Sequence, residues 1–228
     1  MTYPRLVIFD CDGVLVDSEP ISISVLVDTI SRAGGVIDEE TAYRLFLGRS
    51  MSTIREVLAA DFGLDFTAAH LDGLRSVLYE RLRRELRPID GIAEAVAALA
   101  APFCVASSSQ PERIRLSLAA TGLLELFEPR IYSSTMVTNG KPAPDLFLHA
   151  ASEMRTDPAD CVVIEDSPAG IEAARRAGMC VLAFAGASHA PVSALREAQA
   201  ALAPDLVFDD MRALPDLILR LKAGKTTA

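Results

Sequence analysis

The segment Leu6–Gly13, with the sequence LVIFDCDG, decides the fold. Its first four residues form an uninterrupted apolar run, which is typical of a strand buried on both faces of a parallel sheet. Asp10 and Asp12 follow, and because they are two residues apart their side chains point the same way in an extended chain. Gly13 then lets the backbone approach a ligand closely. The segment predicts a buried strand whose carboxyl end binds a ligand.

Three more short apolar runs resemble this one, at residues 103–106, 161–164 and 180–184. Stretches with helical spacing separate them, and one of these opens with Ser167 as a cap and Pro168 in the first turn. Alternation of this kind predicts an α/β fold, a Rossmann-like parallel sheet with helices on both faces.

Residues 19–88 differ from the rest because they show several apolar helix faces and no convincing buried strand. We therefore expect two domains. The α/β catalytic core comprises residues 1–18 and 89–228, and an all-helical cap domain, residues 19–88, is inserted after the first strand.

The composition narrows the possible partners. The 228 residues carry a formal net charge of −9, which argues against non-specific nucleic-acid binding because that binding needs Lys and Arg to neutralise phosphates. Apolar stretches are too short for a membrane span, and the N-terminus has no signal-peptide pattern. We expect a cytoplasmic protein without membrane or nucleic-acid partners, and the sequence leaves its oligomeric state open.

Ligands of open α/β sheets lie at the carboxyl ends of the strands. Carboxylates at these ends are Asp10 and Asp12 after the first run, and Glu165 and Asp166 after the third. Carboxylates brought together repel unless a cation lies among them, and oxygen ligands favour Mg²⁺. No His stands at a strand end, which disfavours zinc.

Residues that would hold a phosphate accompany the carboxylates. Lys141, in a Pro-rich turn, supplies a compact positive charge. Ser107 and the backbone N–H groups after it can bind phosphate oxygens at a helix start. Ser108 is a further phosphate-binding candidate, although Ser108 and Ser109 could instead cap the helix that opens at Pro111.

Four motifs in this order resemble those of the haloacid dehalogenase-like superfamily, and more narrowly its β-phosphoglucomutase-like phosphatases with a helical cap. The resemblance runs from Val7 to about Gly186. The motifs are Asp10–Glu19 (DCDGVLVDSE), Ser107, Lys141-Pro142 and Glu165-Asp166.

The resemblance implies a role for each residue. Asp10 would be the nucleophile that forms an aspartyl-phosphate, and Asp12 would be the general acid and base. Ser107 and Lys141 would hold the transferring phosphoryl group. Mg²⁺ would be bound by Asp10, the backbone carbonyl of Asp12 and Asp166, with Glu165 either a ligand or a support for the ligands.

The cap loop at Arg49 reaches the substrate in this family, so Arg49 would either bind a second anionic group or stay a surface side chain. β-Phosphoglucomutases carry a His twelve residues after the nucleophile, where this chain has Ser22. We therefore expect hydrolysis of a small phosphomonoester, with a sugar or sugar-acid phosphate as one candidate. The alternatives are a sugar-phosphate mutase and, from another class, a non-catalytic sensor of a phosphorylated metabolite.

Overall fold

The computed structural model of the chain describes residues 4–47, 51–188, 197 and 199–221. Six strands form one parallel sheet: β1 (Leu6–Phe9), β2 (Phe103–Ser107), β3 (Ile131–Ser133), β4 (Cys161–Glu165), β5 (Cys180–Phe184) and β6 (Leu206–Phe208). Their spatial order is β3-β2-β1-β4-β5-β6. The order reverses between β1 and β4, and α/β proteins bind ligands at such a switch point.

The α-helices of the described residues fall into two groups. In the described part of the chain, the first group, five helices, lies between β1 and β2; the second group consists of four helices that connect the later strands and one that follows β6. They are α1 (Glu19–Arg32), α2 (Glu39–Phe46), α3 (Met51–Phe62), α4 (Ala68–Glu85), α5 (Ile92–Ala97), α6 (Pro111–Ala120), α7 (Leu124–Phe127), α8 (Asp145–Glu153), α9 (Pro168–Arg176) and α10 (Leu214–Arg220).

The chain divides into two compact units. One consists of Met1–Asp17 together with Arg87–Ala228 and contains the sheet. The other, Ser18–Leu86, contains α1 to α4 and, in its described part, no strand. In this helical unit α1 packs against α4 and α2, and the Arg81 guanidinium of α4 joins the Ser24 hydroxyl of α1 at 2.9 Å.

β1 lies at the centre of the sheet. Ile8 is in register with Cys104 of β2 and with Val163 of β4, and every residue of β1 is fully buried. A strand flanked on both sides and covered on both faces needs a continuous apolar run, which Leu6–Phe9 supplies.

Helices cover both faces of the sheet. Leu6 and Ile8 belong to a core cluster with Phe147 of α8 and Ile171 of α9. On the opposite face, the Phe9 ring makes edge contacts with Phe103 and with Phe127 of α7. The predicted fold class, a parallel α/β sheet with helices on both faces, is confirmed.

Two strands, β3 and β6, were not expected from the sequence. Each has only three residues and lies at an edge of the sheet. Three residues are too few to show a periodicity, and Val207 in the middle of β6 is exposed, so no buried apolar run marks it. Among the described residues, no helix has the length and apolar character to cross a membrane.

Replacing Phe127 with Ala tests the aromatic contacts on the second face. Phe127 is fully buried, and its ring lies 6.0 Å from that of Phe9 and 5.2 Å from that of Phe103. We expect the Phe127→Ala variant to lose about 3–5 kcal/mol of unfolding free energy, since it leaves a cavity in the core. Urea denaturation followed by circular dichroism measures the change.

Leu126, the preceding residue, provides the control because it is 39% exposed. We expect Leu126→Ala to cost less than about 1 kcal/mol. Equal losses in the two variants would contradict the placement of Phe127 in the core.

Candidate active site

Asp10 follows β1 directly, at the switch point of the sheet. Its backbone N–H donates to the carbonyl of Ile164 in β4 at 3.0 Å, so the residue continues the pairing of the two strands. The side chain is buried, and one carboxylate oxygen, Oδ1, accepts a hydrogen bond from Lys141 Nζ at 2.6 Å. Asp10 therefore has a fixed position and a charged partner.

Lys141 links Asp10 to Glu165. Its Nζ also donates to Glu165 Oε1 at 2.7 Å, and its side chain is only 4% exposed. The turn that carries it is held by Asp145 at the start of α8, whose carboxylate accepts from the backbone N–H and side-chain amide of Asn139. These hydrogen bonds hold the turn from which the Lys141 side chain extends.

Glu165 ends β4 and is fully buried. Its second oxygen, Oε2, accepts from the backbone N–H of Ser167 at 2.8 Å and from the Ser167 hydroxyl at 3.0 Å. The Ser167 hydroxyl in turn accepts from the N–H of Gly170, which confirms Ser167 as the cap of α9. The carboxylate thus lies against the first turn of α9, where the helix dipole favours a negative charge.

Asp166 is buried beside Glu165, and its backbone carbonyl accepts a hydrogen bond from the side-chain amide of Gln199. Gln199 is itself buried and also donates to the carbonyl of Phe184. A residue about thirty positions further along the chain therefore helps to place Asp166.

Among the described residues, the cluster at the end of β1 contains more negative charge than positive. One oxygen each of Asp10, Glu165 and Asp166 lie within 4.8 Å of one another, and three ionised carboxylates would face the single ammonium of Lys141. Burial raises the pKa of Asp10 and Asp166, and for both the neighbouring carboxylates add to the rise. Burial opposes the charge of Lys141, but Asp10 and Glu165 outweigh it and raise its pKa. Oxygen-only donors with excess negative charge fit a hard divalent cation.

Ser107 ends β2, where it is buried, and its hydroxyl accepts from the backbone N–H of Ser109 at 3.1 Å. Two serines at the end of β3 hold the same loop. Ser133 donates to the carbonyl of Ser109 at 2.7 Å, and Ser134 donates to the carbonyl of Ser108 at 2.8 Å. The side chain of Ser108 is exposed, whereas the Ser107 hydroxyl and the backbone of the predicted phosphate loop are held by these hydrogen bonds.

The expectation that Asp10 and Asp12 point the same way assumed an extended chain, and it stays a prediction. The chain stops being extended after Asp10, because the carbonyl of Cys11 accepts hydrogen bonds from the backbone N–H groups of Leu15 and Val16 and closes a turn. Gly13 has a left-handed φ of 81°, which favours glycine in this turn.

The Asp12 carboxylate contacts the loop and helix that follow β2. Its Oδ2 accepts from the Ser109 hydroxyl at 2.7 Å, and its Oδ1 accepts from Arg113 at 2.9 Å. The Ser109 hydroxyl therefore binds Asp12 and does not cap α6, which has no side-chain cap.

The structure brings together Asp10, Lys141, Glu165 and Asp166 of the predicted site. It places Asp12 on the loop after β1 and Ser107 at the end of the neighbouring strand β2. Arg49 lies outside the described residues, so its substrate-binding role stays a prediction. Sequence reasoning missed the roles of several residues that hold the site, although Arg113 could be found from the expected helix start at Pro111. They include Ser109, Arg113, Ser133, Ser134, Asp145 and Gln199.

Comparison with known proteins gives consistent matches. The family model of haloacid dehalogenase-like hydrolases matches residues 4–178. A curated relative, the 6-phosphogluconate phosphatase of Escherichia coli (strain K12), is 30% identical over 190 residues, which cover 83% of this chain and 86% of that protein.

Two solved structures are similar to this chain in both fold and sequence. A conserved haloacid dehalogenase-like protein of unknown function from Agrobacterium tumefaciens str. C58 is 36% identical with a TM-score of 0.85, covering 96% of this chain and 99% of that one. A HAD family hydrolase from Deinococcus radiodurans R1, solved with bound phosphate and sodium, is 31% identical with a TM-score of 0.76, covering 99% and 100%.

Gly170 offers a test of the carboxylate arrangement. A Cβ added there would lie 1.6 Å from Glu165 Oε1, so Gly170→Ala must displace the Glu165 carboxylate. We expect this variant to lose about 1–3 kcal/mol of unfolding free energy by overpacking, although Ala is the better helix former. Chemical denaturation measures the loss.

Gly73 in α4 is the matched control, since a Cβ there meets no atom within 4 Å. We expect Gly73→Ala to raise the unfolding free energy by up to about 1 kcal/mol, because Ala restricts the unfolded chain. A gain at Gly170 like that at Gly73 would show that the Glu165 carboxylate does not occupy this place.

Proposed function

Because the chain belongs to the haloacid dehalogenase-like hydrolase family, we propose that it is a Mg²⁺-dependent phosphomonoesterase acting on a small phosphorylated metabolite through an aspartyl-phosphate at Asp10. The observation that carries the proposal is the buried cluster at the end of β1. There Asp10 contacts Lys141 at 2.6 Å and lies beside the carboxylates of Glu165 and Asp166.

Asp10 supports the first chemical step. One of its carboxylate oxygens forms a bond to phosphorus while the bond from phosphorus to the leaving oxygen breaks. The leaving oxygen keeps the electron pair and takes a proton from Asp12. Lys141 lies close enough to Asp10 to neutralise charge on the nucleophile and the incoming phosphoryl group, and Ser107 with the loop after β2 would hold the phosphoryl oxygens.

Asp12 supports the second step. A water molecule transfers a proton to Asp12, its oxygen bonds to phosphorus, and the bond between phosphorus and Asp10 breaks. Inorganic phosphate leaves, Asp10 is a free carboxylate again, and Asp12 is protonated for the next cycle.

The cluster would also hold the magnesium ion. Asp10, Asp166 and the backbone carbonyl of Asp12 are the ligands that we propose, and Glu165, already bonded to Lys141 and Ser167, would support them. Bound Mg²⁺ supplies positive charge that neutralises phosphate oxygens in the transition state.

A sugar phosphate or sugar-acid phosphate is the substrate class that we propose, since the Escherichia coli relative is named a 6-phosphogluconate phosphatase. Ser22 supports hydrolysis over the mutase alternative. Its hydroxyl donates to the carbonyl of Ser18, the residue before α1, at 3.0 Å. A serine hydroxyl is not a general base near neutral pH, as a histidine is.

Asp10→Asn tests the nucleophile. We expect the wild-type protein to hydrolyse an aryl phosphate only with Mg²⁺ present, and the variant to lose activity by about 10⁴-fold or more, because the amide cannot form the intermediate. Phosphate release is measured with and without EDTA, and Asp216→Asn, at an exposed site on α10, is the control.

The same assays separate the alternatives. Interconversion of glucose 1-phosphate and glucose 6-phosphate without phosphate release would favour the mutase. Tight binding of phosphorylated metabolites without turnover would favour the sensor, and either result overturns the phosphatase.

Thermal unfolding tests the metal ligands. We expect Mg²⁺ at one hundred times its Kd to add about 2.7 kcal/mol. For a chain of this length that is a rise in Tm of about 5–10 °C. We expect Asp166→Asn to abolish most of this rise, and Asp216→Asn to keep it.

Without metal, we expect the Asp166→Asn variant to have a higher Tm than the wild type. A carboxyl group whose pKa is higher in the folded than in the unfolded chain makes the folded state less stable when it ionises. This loss of stability begins as the pH rises through the unfolded pKa, which lies in the ordinary carboxyl range. Burial raises the pKa of Asp166, so near neutral pH the EDTA-treated Asp166→Asn variant should unfold at a higher temperature than the EDTA-treated wild type. A lower Tm would contradict this account of the cluster.

A further inference from the structure

The Asp12 carboxylate is held at both oxygens. Arg113 Nη2 donates to Oδ1 at 2.9 Å, and the Ser109 hydroxyl donates to Oδ2 at 2.7 Å. The contact is sheltered, because the side chains of Arg113 and Asp12 are 21% and 14% exposed. Neither donor was part of the predicted site, and neither has a role in the steps described above.

Both donors stand on a well-anchored part of the fold. Arg113 is the third residue of α6, after Pro111 at its first position, so its backbone belongs to the first helical turn. Ser109 lies on the loop before this helix, where its carbonyl accepts a hydrogen bond from Ser133 at the end of β3. Both donors of Asp12 therefore belong to the segment that follows Ser107 at the end of β2.

We propose that Arg113, with Ser109, is a positioning residue that orients Asp12 for proton transfer; this inference rests on the proposed function. An aspartate side chain can rotate about two bonds, and general acid–base catalysis needs one of its oxygens within hydrogen-bond reach of the reacting atom. The carboxylates of Asp10 and Asp166 would also repel an ionised Asp12. The Arg113 guanidinium counters that repulsion and fixes the carboxylate plane.

The chemistry of the two donors assigns different tasks to the two oxygens. Arg113 has no acceptor and keeps its proton, so it binds Oδ1 throughout the cycle. A hydroxyl both donates and accepts, so Ser109 can stay in contact with Oδ2 whether or not Asp12 is protonated. We therefore assign proton transfer to Oδ2, which gives its proton to the leaving oxygen in the first step and takes one from water in the second.

Leaving-group dependence tests the proposal. kcat/KM reports the steps up to formation of the aspartyl-phosphate, in which Asp12 matters most for a poor leaving group. For Arg113→Met we expect kcat/KM to fall about 10–100-fold with phenyl phosphate, since a slightly misplaced acid loses much of its effect. With 2,4-dinitrophenyl phosphate, whose leaving group needs no proton, we expect a loss below about 3-fold.

Three further variants sharpen the test. Arg113→Lys keeps the charge and should recover part of the phenyl phosphate activity. In an Asp12→Asn background, Arg113→Met should cause no further loss, because the two residues act as a unit. Arg115→Met is the matched control on the same helix, since Arg115 pairs with Glu128 at an exposed position, and it should behave as the wild type.

The contrary outcomes are distinct. Equal losses with both substrates would make Arg113 a phosphate ligand or a purely structural residue, and additive losses with Asp12→Asn, or no loss at all, would remove the link to Asp12. Each of these overturns the inference while the wild-type phosphatase stands. Absence of Mg²⁺-dependent hydrolysis by the wild type would instead overturn the proposed function.

Discussion

The buried ammonium of Lys141 joins the carboxylates at the ends of two central strands of the sheet. It lies 2.6 Å from Asp10 and 2.7 Å from Glu165, so it ties the ends of β1 and β4 to the turn before α8. Removing one partner of a buried ion pair costs about 3–5 kcal/mol, because the remaining charge is left uncompensated. Here the loss would be more damaging, since without Lys141 the described cluster contains only carboxylates. The same contact that stabilises the fold also places positive charge at the proposed nucleophile.

Charge alone does not keep such a site in order, and a set of hydroxyl and amide contacts does the rest. Ser133 and Ser134 hold the loop after β2, Ser167 holds Glu165 against α9, and Asp145 brackets the turn that carries Lys141. Each of these contacts joins a side chain to backbone or to another side chain in a segment that carries a residue of the proposed site. Such supporting bonds limit the movement of residues for which a misplacement of about 1 Å can cost about 100-fold in rate.

Sequence reasoning was accurate where a pattern is long and local. The four apolar runs are the strands β1, β2, β4 and β5, and the helices expected at Pro111 and Pro168 begin at those residues. It failed for β3 and β6, because three-residue edge strands have no periodicity of their own. The site residues at strand ends could be proposed from the sequence because parallel strands bring their carboxyl ends to one edge. The partners that hold them could not, since Gln199 and Ser133 meet the site only through the folding of distant segments.

Asp12 and Gly170 show the difference between what the order of residues determines and what only the folded structure decides. Residue order alone was enough to identify a parallel α/β core and the family, because buried strands and ordered motifs are written in consecutive residues. It was not enough to find the partners of Asp12, since these are Ser109 and Arg113, about a hundred positions further along the chain. Nor could it show that Gly170 leaves room for the Glu165 carboxylate. Side-chain direction and close approach depend on which segments meet in space, and those meetings exist only once the chain has folded.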